Sequence, residues 1–73
     1  MIVDGIEVSA DTVAKAISDM RVCDRFTYMA MQTQLILHGC DKQAAYRAAD
    51  RVLQRLRKNG EIVFRKQAWE WVP

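Results

Sequence analysis

Apolar and polar positions alternate along the chain in a way that predicts three helices followed by two strands. The first helix spans about residues 10–20 and follows Ser9, a residue type that caps helices well. Its apolar positions recur every three or four residues, at Val13, Ala16, Ile17 and Met20. Ahead of it, apolar residues flank the turn-forming pair Asp4-Gly5, which predicts either a very small hairpin or one irregular strand that adds an edge to a small sheet.

A second helix is predicted from a cap at Asp24 to about Leu37 or His38, where Gly39 stops it. Its apolar residues lie on two sides. One side holds Phe26, Met29, Ala30, Thr33, Ile36 and Leu37, and the other holds Tyr28, Met31 and Leu35. A helix that is apolar on both sides is either covered by the rest of the fold or contacts a second chain. The pattern therefore leaves open a sandwiched helix and a homodimer or other partner interface at Tyr28, Met31 and Leu35.

The third helix is predicted to start after the cap Asp41 and to end at Asn59-Gly60, because these two residue types tolerate the left-handed conformation that halts helices. Its core-facing positions are Ala45, Ala49, Val52, Leu53 and Leu56, with Tyr46 at the margin. The opposite side holds Gln43, Arg47, Arg51, Gln54, Arg55 and Lys58. Residues three and four apart are neighbours on a helix, so its cations line up. We call this line the basic ridge: Arg47, Arg51, Arg55 and Lys58.

Residues 62–65 and 68–72 alternate with a period of two and predict a β-hairpin. A turn at Lys66-Gln67 pairs Phe64 with Trp69 and Ile62 with Trp71, which puts four large side chains on one face of the sheet. That shared face predicts that both tryptophans pack in the core rather than stack on bases. Neither Lys nor Gln favours positive φ, so a longer loop with the same pairing stays open.

Composition and length predict one folded domain, residues 1–73, that is soluble and cytoplasmic. Apolar residues make up 51% of the chain and charged residues 27%, which suits a globular protein and excludes a disordered one. No segment approaches the roughly 20 apolar residues of a membrane span, and no secretory signal is evident. Cys23 and Cys40 lack the spacing of a zinc site or a disulfide framework, so we expect reduced, structural thiols.

Charge is distributed unevenly along the chain. Residues 1–24 contain two basic and five acidic side chains, whereas residues 25–73 contain nine basic and four acidic ones. Between residues 42 and 66, only Asp50 and Glu61 oppose eight basic side chains. A polyanion would therefore dock on the second part of the chain, with the acidic first helix facing away from it.

Residues 24–72 resemble the winged helix-turn-helix superfamily of DNA-binding proteins. The match consists of a second helix, a short turn at Gly39-Cys40-Asp41, and a third helix that leads into a hairpin, as in the segment CDKQAAYRAADRVLQRLRKNGEIVFRKQAWEW. The resemblance implies an α+β fold: a small winged helix-turn-helix with three helices, a C-terminal β-hairpin wing and a short N-terminal strand. It also implies a small bacterial or phage transcription regulator that binds double-stranded DNA.

The resemblance further implies which side chains meet DNA. The start of the third helix would meet base edges, and the wing tip would grip the sugar-phosphate backbone or a minor groove. The first role would belong to Lys42, Gln43, Arg47 and Arg51, and the second to Arg65, Lys66 and Gln67. Arg55 and Lys58, further along the basic ridge, are better placed for phosphates. The chemistry fits, because Arg can bind guanine O6 and N7 in a fork and Gln can bind adenine N6 and N7.

Some features depart from the family pattern or keep other functions open. The sequence shows no strand between the first two helices, where many winged helices have one, and Glu61 follows Gly60 in place of an aliphatic residue. Winged helices also serve as protein-interaction modules, adaptors or antagonists, that do not bind DNA, and the basic ridge would then be only a solvated face. A third function, single-strand or RNA binding, requires exposed tryptophans.

Catalysis, cofactors and small-molecule substrates are not expected. His38 is the only histidine, and its place at a helix end favours the capping of carbonyls or an interaction with the helix dipole over a role as a base. The chain contains no Gly-rich phosphate loop, no paired carboxylates at helical spacing and no nucleophile-base constellation. A metal site and a membrane partner are not expected either.

Overall fold

Three helices and five short strands make up the protein, and the computed structural model describes every residue from Met1 to Pro73. In chain order the elements are β1 (Ile2–Val3), β2 (Ile6–Glu7), α1 (Ala10–Met20), β3 (Arg25–Phe26), α2 (Tyr28–Leu37), α3 (Lys42–Lys58), β4 (Ile62–Arg65) and β5 (Ala68–Trp71). The predicted α+β class, with three helices and a C-terminal hairpin, is confirmed. None of the helices combines the length and the apolar character that a membrane crossing needs.

Strands β3, β4 and β5 form one antiparallel sheet, the C-terminal sheet, in the order β3-β5-β4. Ile62 lies opposite Trp71 and Phe64 opposite Trp69, which is the predicted register. The expectation of no strand between the first two helices is wrong, because β3 pairs Phe26 with Trp69. Two residues are too few to show a period of two, so no sequence pattern marks this strand. From α1 to β5 the elements follow the order α1-β3-α2-α3-β4-β5.

The turn of the C-terminal hairpin has two residues, and the longer loop is not needed. Lys66 and Gln67 both have positive φ, at 50° and 64°, as a type I′ turn requires. This turn matches the right-handed twist of the strands that it joins. The twist therefore fixes the turn type even though neither side chain favours the left-handed region.

β1 and β2 form the very small hairpin that the sequence offered as one of two alternatives, and it is a separate two-stranded sheet that adds no edge to the other one. Asp4 and Gly5 form its turn, with φ of 50° and 80°. Val3 and Val8 are 0% and 1% exposed, which anchors the hairpin in the core. β1 packs against α3, so the N-terminal hairpin lies beside the helix that carries the basic ridge.

α2 begins at Tyr28, later than predicted. Its cap is Thr27 rather than Asp24, and the Thr27 Oγ1 accepts a hydrogen bond from the Ala30 amide at 3.1 Å. β3 takes the residues just before the cap, and Phe26 is buried in the sheet instead of in the helix. A threonine oxygen accepts a hydrogen bond from an amide of the first turn as well as an aspartate does. The presence of a capping residue at Asp24 was therefore not enough to locate the start of α2.

α2 faces the core with the side that has fewer apolar residues. Met31 and Leu35 are fully buried, whereas Met29 and Leu37 are 72% and 68% exposed. Tyr28 is half-buried. The alternative of a partner interface at Tyr28, Met31 and Leu35 is therefore wrong, because in this fold a second chain cannot reach two of the three side chains.

A tight turn joins α2 to α3, as predicted. Gly39 has a φ of 103°, and the Cys40 amide beyond it donates to the Leu35 carbonyl at 2.9 Å. This is the Schellman arrangement, in which glycine supplies the left-handed residue. Asp41 then caps α3, with its Oδ1 accepting a hydrogen bond from the Gln43 amide at 2.7 Å. The turn thereby fixes where α3 starts and which of its sides faces the core.

Small residues line much of the core-facing side of α3, and they allow close packing against α2. Its buried residues are Ala44, Ala45, Ala48, Ala49, Val52, Leu53 and Leu56. Tyr46, predicted at the margin of this side, is 63% exposed. The end of α3 at Asn59-Gly60 is confirmed, with a φ of 75° at Gly60.

Polar contacts tie α1 to the end of α2. Ser9 caps α1 as predicted, its Oγ accepting a hydrogen bond from the Thr12 amide at 3.1 Å. The buried Thr12 donates from Oγ1 to the His38 carbonyl at 2.8 Å. The His38 ring also contacts Asp19, with 2.6 Å between Nε2 and Oδ2. The fold therefore uses His38 to join α1 and α2.

Candidate nucleic-acid interface

Every side chain that the sequence assigned to DNA contact lies on the surface. We call these nine the candidate contact residues, and all of them are exposed: Lys42, Gln43, Arg47, Arg51, Arg55, Lys58, Arg65, Lys66 and Gln67. Six belong to α3, one ends β4, and two form the turn of the C-terminal hairpin. Their exposure follows from the patterns that placed them opposite the core-facing residues of α3 and at the tip of the hairpin.

Most of the positive charge on the surface is not compensated within the protein. The chain has eleven lysines and arginines. Only Lys15, Arg21 and Arg47 form ion pairs with carboxylates, which leaves eight without one. Arg47 is thus the only candidate contact residue in an ion pair. Because an exposed pair of this kind contributes only about 0–1 kcal/mol, Arg47 can exchange its partner for another anion at little cost.

The second half of α3 and its cap line a shallow cleft of about 380 Å³ that contains no apolar side chain. We call it the basic cleft. It is lined by Asp50, Arg51, Gln54, Arg55, Lys58 and Asn59. Three cations thus face a single carboxylate, and that carboxylate forms no ion pair. The cleft has the charge and the hydrogen-bond donors that suit phosphate oxygens.

Two residues of the basic ridge are held by the N-terminal hairpin. The Arg47 Nε lies 3.1 Å from the Asp4 Oδ2. The Arg51 Nη1 donates to the Ile2 carbonyl at 2.7 Å. Asp4 and Ile2 stand more than forty positions before their partners, so the spacing of residues along the sequence could not reveal either contact.

The first turn of α3 presents polar side chains that have no partner in the protein. The side chains of Lys42 and Gln43 are exposed and form no ion pair or hydrogen bond. The nearby Asp41 carboxylate accepts the Gln43 amide and occupies the helix N-terminus. A phosphate is therefore disfavoured at this end of α3, whereas the Gln43 side chain is free for an uncharged donor and acceptor pair such as a base edge.

The tip of the C-terminal hairpin is supported by Arg25, a residue that no sequence pattern indicated. Its Nη2 donates to the carbonyl oxygens of Arg65 and Lys66, at 2.8 and 3.0 Å. The side chains of Arg65, Lys66 and Gln67 point to solvent without a partner. Arg25 thus adds a cation at the tip and fixes the turn, and only the unpredicted β3 places it there.

The aromatic side chains of the hairpin are only partly core residues. Trp69 is 9% exposed, and the half-buried Trp71 donates its indole N–H to the Met20 carbonyl at 3.0 Å. The Arg21 guanidinium lies 4.3 Å from the centre of the Trp71 ring. Phe64, expected on the buried face, is 56% exposed and packs edge-on against Trp69. The face is shared as predicted, but Phe64 on the edge strand β4 is left largely exposed, whereas Trp69 on the central strand β5 is buried.

Tyr28 and Tyr46 form an edge-to-face pair between α2 and α3, with ring centres 5.7 Å apart. The Tyr28 hydroxyl donates to the Tyr46 carbonyl. Burial raises the pKa of Tyr28, and Tyr46 and Asp50 raise it further. Tyr28 is therefore a neutral hydrogen-bond donor at physiological pH, and its contact holds α2 against the exposed side of α3.

No hydrogen bond or ion pair joins the basic cleft to the hairpin tip, so the candidate contact residues form two separate groups. No group of three or more His, Cys, Asp or Glu side chains is placed to hold a metal ion. Both cysteines are free, and burial raises the pKa of Cys40.

Comparisons of the chain with protein-family models, with curated proteins and with solved structures found no match.

Proposed function

We propose that this protein is a winged helix-turn-helix protein that binds double-stranded DNA, with α3 in the major groove and the β4–β5 hairpin as a wing. The observation that carries the proposal is the basic cleft: Arg51, Arg55 and Lys58 surround a polar surface with one carboxylate and no apolar residue. A helix about 10–12 Å across with its side chains fits a major groove about 12 Å wide, and α3 exposes such a surface after a tight turn. Regulation of transcription in a bacterium or a phage is the biological role that we propose for this activity.

The two groups of contact residues have different roles in this proposal. On α3, Lys42, Gln43, Arg47 and Arg51 meet base edges, while Arg55 and Lys58 meet phosphates. At the tip, Arg65, Lys66 and Gln67 meet the sugar-phosphate backbone or a minor groove. Support for the second role comes from Arg25, which holds the turn and adds charge beside it. Contacts of the second group are independent of base sequence, so they contribute affinity but not discrimination.

The salt dependence of binding to a mixed-sequence duplex tests the proposal. Each phosphate that a cation neutralises releases counterions and contributes about 0.9 to the slope of log K against log salt concentration. With four cations on phosphates, Arg55, Lys58, Arg65 and Lys66, fluorescence anisotropy of a labelled duplex should give a slope of about −4. A duplex that does not bind even at low salt would refute DNA binding.

A second candidate function is supported by the outer side of α2. Met29 and Leu37 are exposed there with Thr33 between them, so large apolar side chains recur on the solvent side of the helix. An exposed apolar line suits a protein-interaction module, an adaptor or antagonist that does not bind DNA. Two results together would favour this function: no duplex binding, and a homodimer or complex that the substitution Leu37→Lys disrupts.

A further inference from the structure

The N-terminal hairpin offers fixed acceptors to two arginines of α3. The Asp4 carboxylate contacts the Nε of Arg47, and the Ile2 carbonyl accepts from Arg51. Both acceptors belong to one hairpin, whose Val3 is fully buried. Because the hairpin is anchored in the core, its backbone keeps a constant position relative to α3, and the Asp4 carboxylate projects from that backbone. The hairpin therefore restricts the conformations of two exposed side chains that would otherwise be mobile.

The contact between Asp4 and Arg47 leaves the two terminal Nη groups of the guanidinium free. It uses the Nε, at 3.1 Å, and neither terminal Nη group has a partner in the protein. The Arg47 side chain is 63% exposed and lies on the polar side of α3, in the first half of the helix. A guanine presents O6 and N7 to two donors in a fork, and the two free Nη groups supply such a fork. Asp4 thus holds Arg47 without occupying the donors that would read a base.

We propose that Asp4 is a positioning residue that sets base specificity by orienting Arg47 toward a guanine, a role that rests on the proposed DNA-binding function. Asp4 itself touches no base. Its negative charge opposes the phosphates of every duplex, so it lowers affinity for all sequences alike. Its favourable effect is on discrimination, because a guanidinium that is already oriented loses less conformational freedom when it binds a guanine.

The geometry of the turn permits a clean test. Asp4 and Gly5 both have positive φ, so Asp4→Gly removes the carboxylate and keeps the turn. Glu7→Gln is the matched control. Glu7 lies in the same hairpin with a side chain that is 68% exposed, and its carboxylate is near the Met1 ammonium rather than α3. Both substitutions remove one negative charge, but only the first releases Arg47.

The experiment selects preferred sites from random duplexes with the wild-type protein and then compares affinities for the selected site and for the same site with its guanine replaced. We expect Asp4→Gly to lower the preference for guanine about two- to fivefold, because an exposed ion pair contributes at most about 1 kcal/mol. Arg47→Ala should abolish the preference, and Asp4→Gly should change nothing further in that background. Glu7→Gln should leave the preference unchanged.

A second measurement needs no DNA. In the free protein, ¹⁵N relaxation of the Arg47 Nε–H should show restricted motion in the wild type and fast motion in Asp4→Gly. Equal mobility in both proteins would overturn the positioning role. So would an unchanged guanine preference in Asp4→Gly, or a uniform gain in affinity for all duplexes, and in both cases DNA binding itself would stand. A wild-type protein that binds no duplex would instead refute the proposed function.

Discussion

The guanidinium of Arg25 lies on the turn of the C-terminal hairpin, where its Nη2 donates to the Arg65 carbonyl at 2.8 Å. The same nitrogen reaches the Lys66 carbonyl at 3.0 Å. A strand of two residues thus supports the end of a hairpin forty positions later in the chain. This contact orients the proposed wing from the loop that joins α1 to α2.

We expect Arg25→Ala to lower the free energy of unfolding by about 1 kcal/mol, because charged hydrogen bonds stabilise a fold but these are exposed to solvent. Urea unfolding measures the change. Arg57→Ala is the control, since Arg57 is also exposed but bonds only to Gln54 within α3. Equal losses in the two variants would show that the hairpin does not depend on Arg25.

Two substitutions at positive φ should change stability in opposite directions. Gln67 has a φ of 64°, so Gln67→Gly should raise the free energy of unfolding by about 1 kcal/mol by relieving strain in the turn. Gly60 has a φ of 75°, and a Cβ there would have no atom within 4 Å, so Gly60→Ala adds backbone strain without a clash. Gly60→Ala should therefore lower the free energy of unfolding by about 1–2 kcal/mol. Urea midpoints that shift in the same direction would contradict the described backbone.

Cys40 should make the fold sensitive to alkaline pH. Burial, with Asp41 adding to it, raises the pKa of its thiol above the ordinary value of 9.0. A folded-state pKa above the unfolded one gives a contribution that is fully present below pH 9.0 and lost as pH rises through the higher folded value. We expect the wild type to lose more stability than Cys40→Ala between pH 8 and about pH 10.

Urea unfolding at both pH values measures that difference. Tyr28, whose pKa is also raised, causes a further loss of stability near the upper end of this pH range. Cys40→Ala should therefore also be compared with Tyr28→Phe and with the double variant. Parallel pH profiles for the wild type and Cys40→Ala would show that the thiol has the same pKa in the folded and unfolded states and carries none of the effect.

Lys58 and Lys15 form a matched pair for testing where a duplex binds. Lys58 lines the basic cleft, whereas Lys15 lies on the acidic first helix and pairs with Asp11 at 3.0 Å. We expect Lys58→Ala to weaken binding to all duplex sequences and to reduce the salt slope by about 1, and Lys15→Ala to leave both unchanged. Anisotropy titrations at several salt concentrations measure both. Equal weakening by the two variants would indicate attraction by net charge rather than a docking surface.

Tryptophan fluorescence tests the single-strand and RNA-binding alternative. Trp69 is 9% exposed, and the Trp71 ring is covered by Arg21 and held by the Met20 carbonyl. We expect blue-shifted emission that resists quenching by iodide and that does not change when single-stranded oligonucleotides are added. Strong quenching by an unstructured oligonucleotide would instead show that bases stack on these rings.

Sequence patterns predicted the parts of the fold that repeat over several residues. α3, with its cap at Asp41 and its end before Gly60, shows the helical period over 17 residues, and its polar side is exposed as expected. The hairpin register follows from four alternating positions on each strand. These elements also carry all nine candidate contact residues, so their positions on the surface could be predicted.

Short elements and distant contacts could not be predicted in this way. β3 has only two residues, too few for a period, and its presence also moved the start of α2 to Tyr28. The sequence did not decide which side of α2 faces the core, because both sides carry apolar residues, so α1 and α3 decide which side is covered. The contacts of Arg47 with Asp4 and Arg51 with Ile2 depend on where the N-terminal hairpin packs, which no local pattern encodes.

The central position of β5 determines the order in which the protein should fold. The contacts around the sheet join distant residues: Arg21 with Glu61, Arg25 with Arg65, and Met20 with Trp71, across 40, 40 and 51 positions. α2 and α3 are sequence neighbours, and closing a short loop costs less entropy. We therefore expect these two helices to dock early and the sheet to be completed late, when β3 pairs with β5 of the C-terminal hairpin. In native-state hydrogen exchange, the strand amides should then lose protection before those of α3.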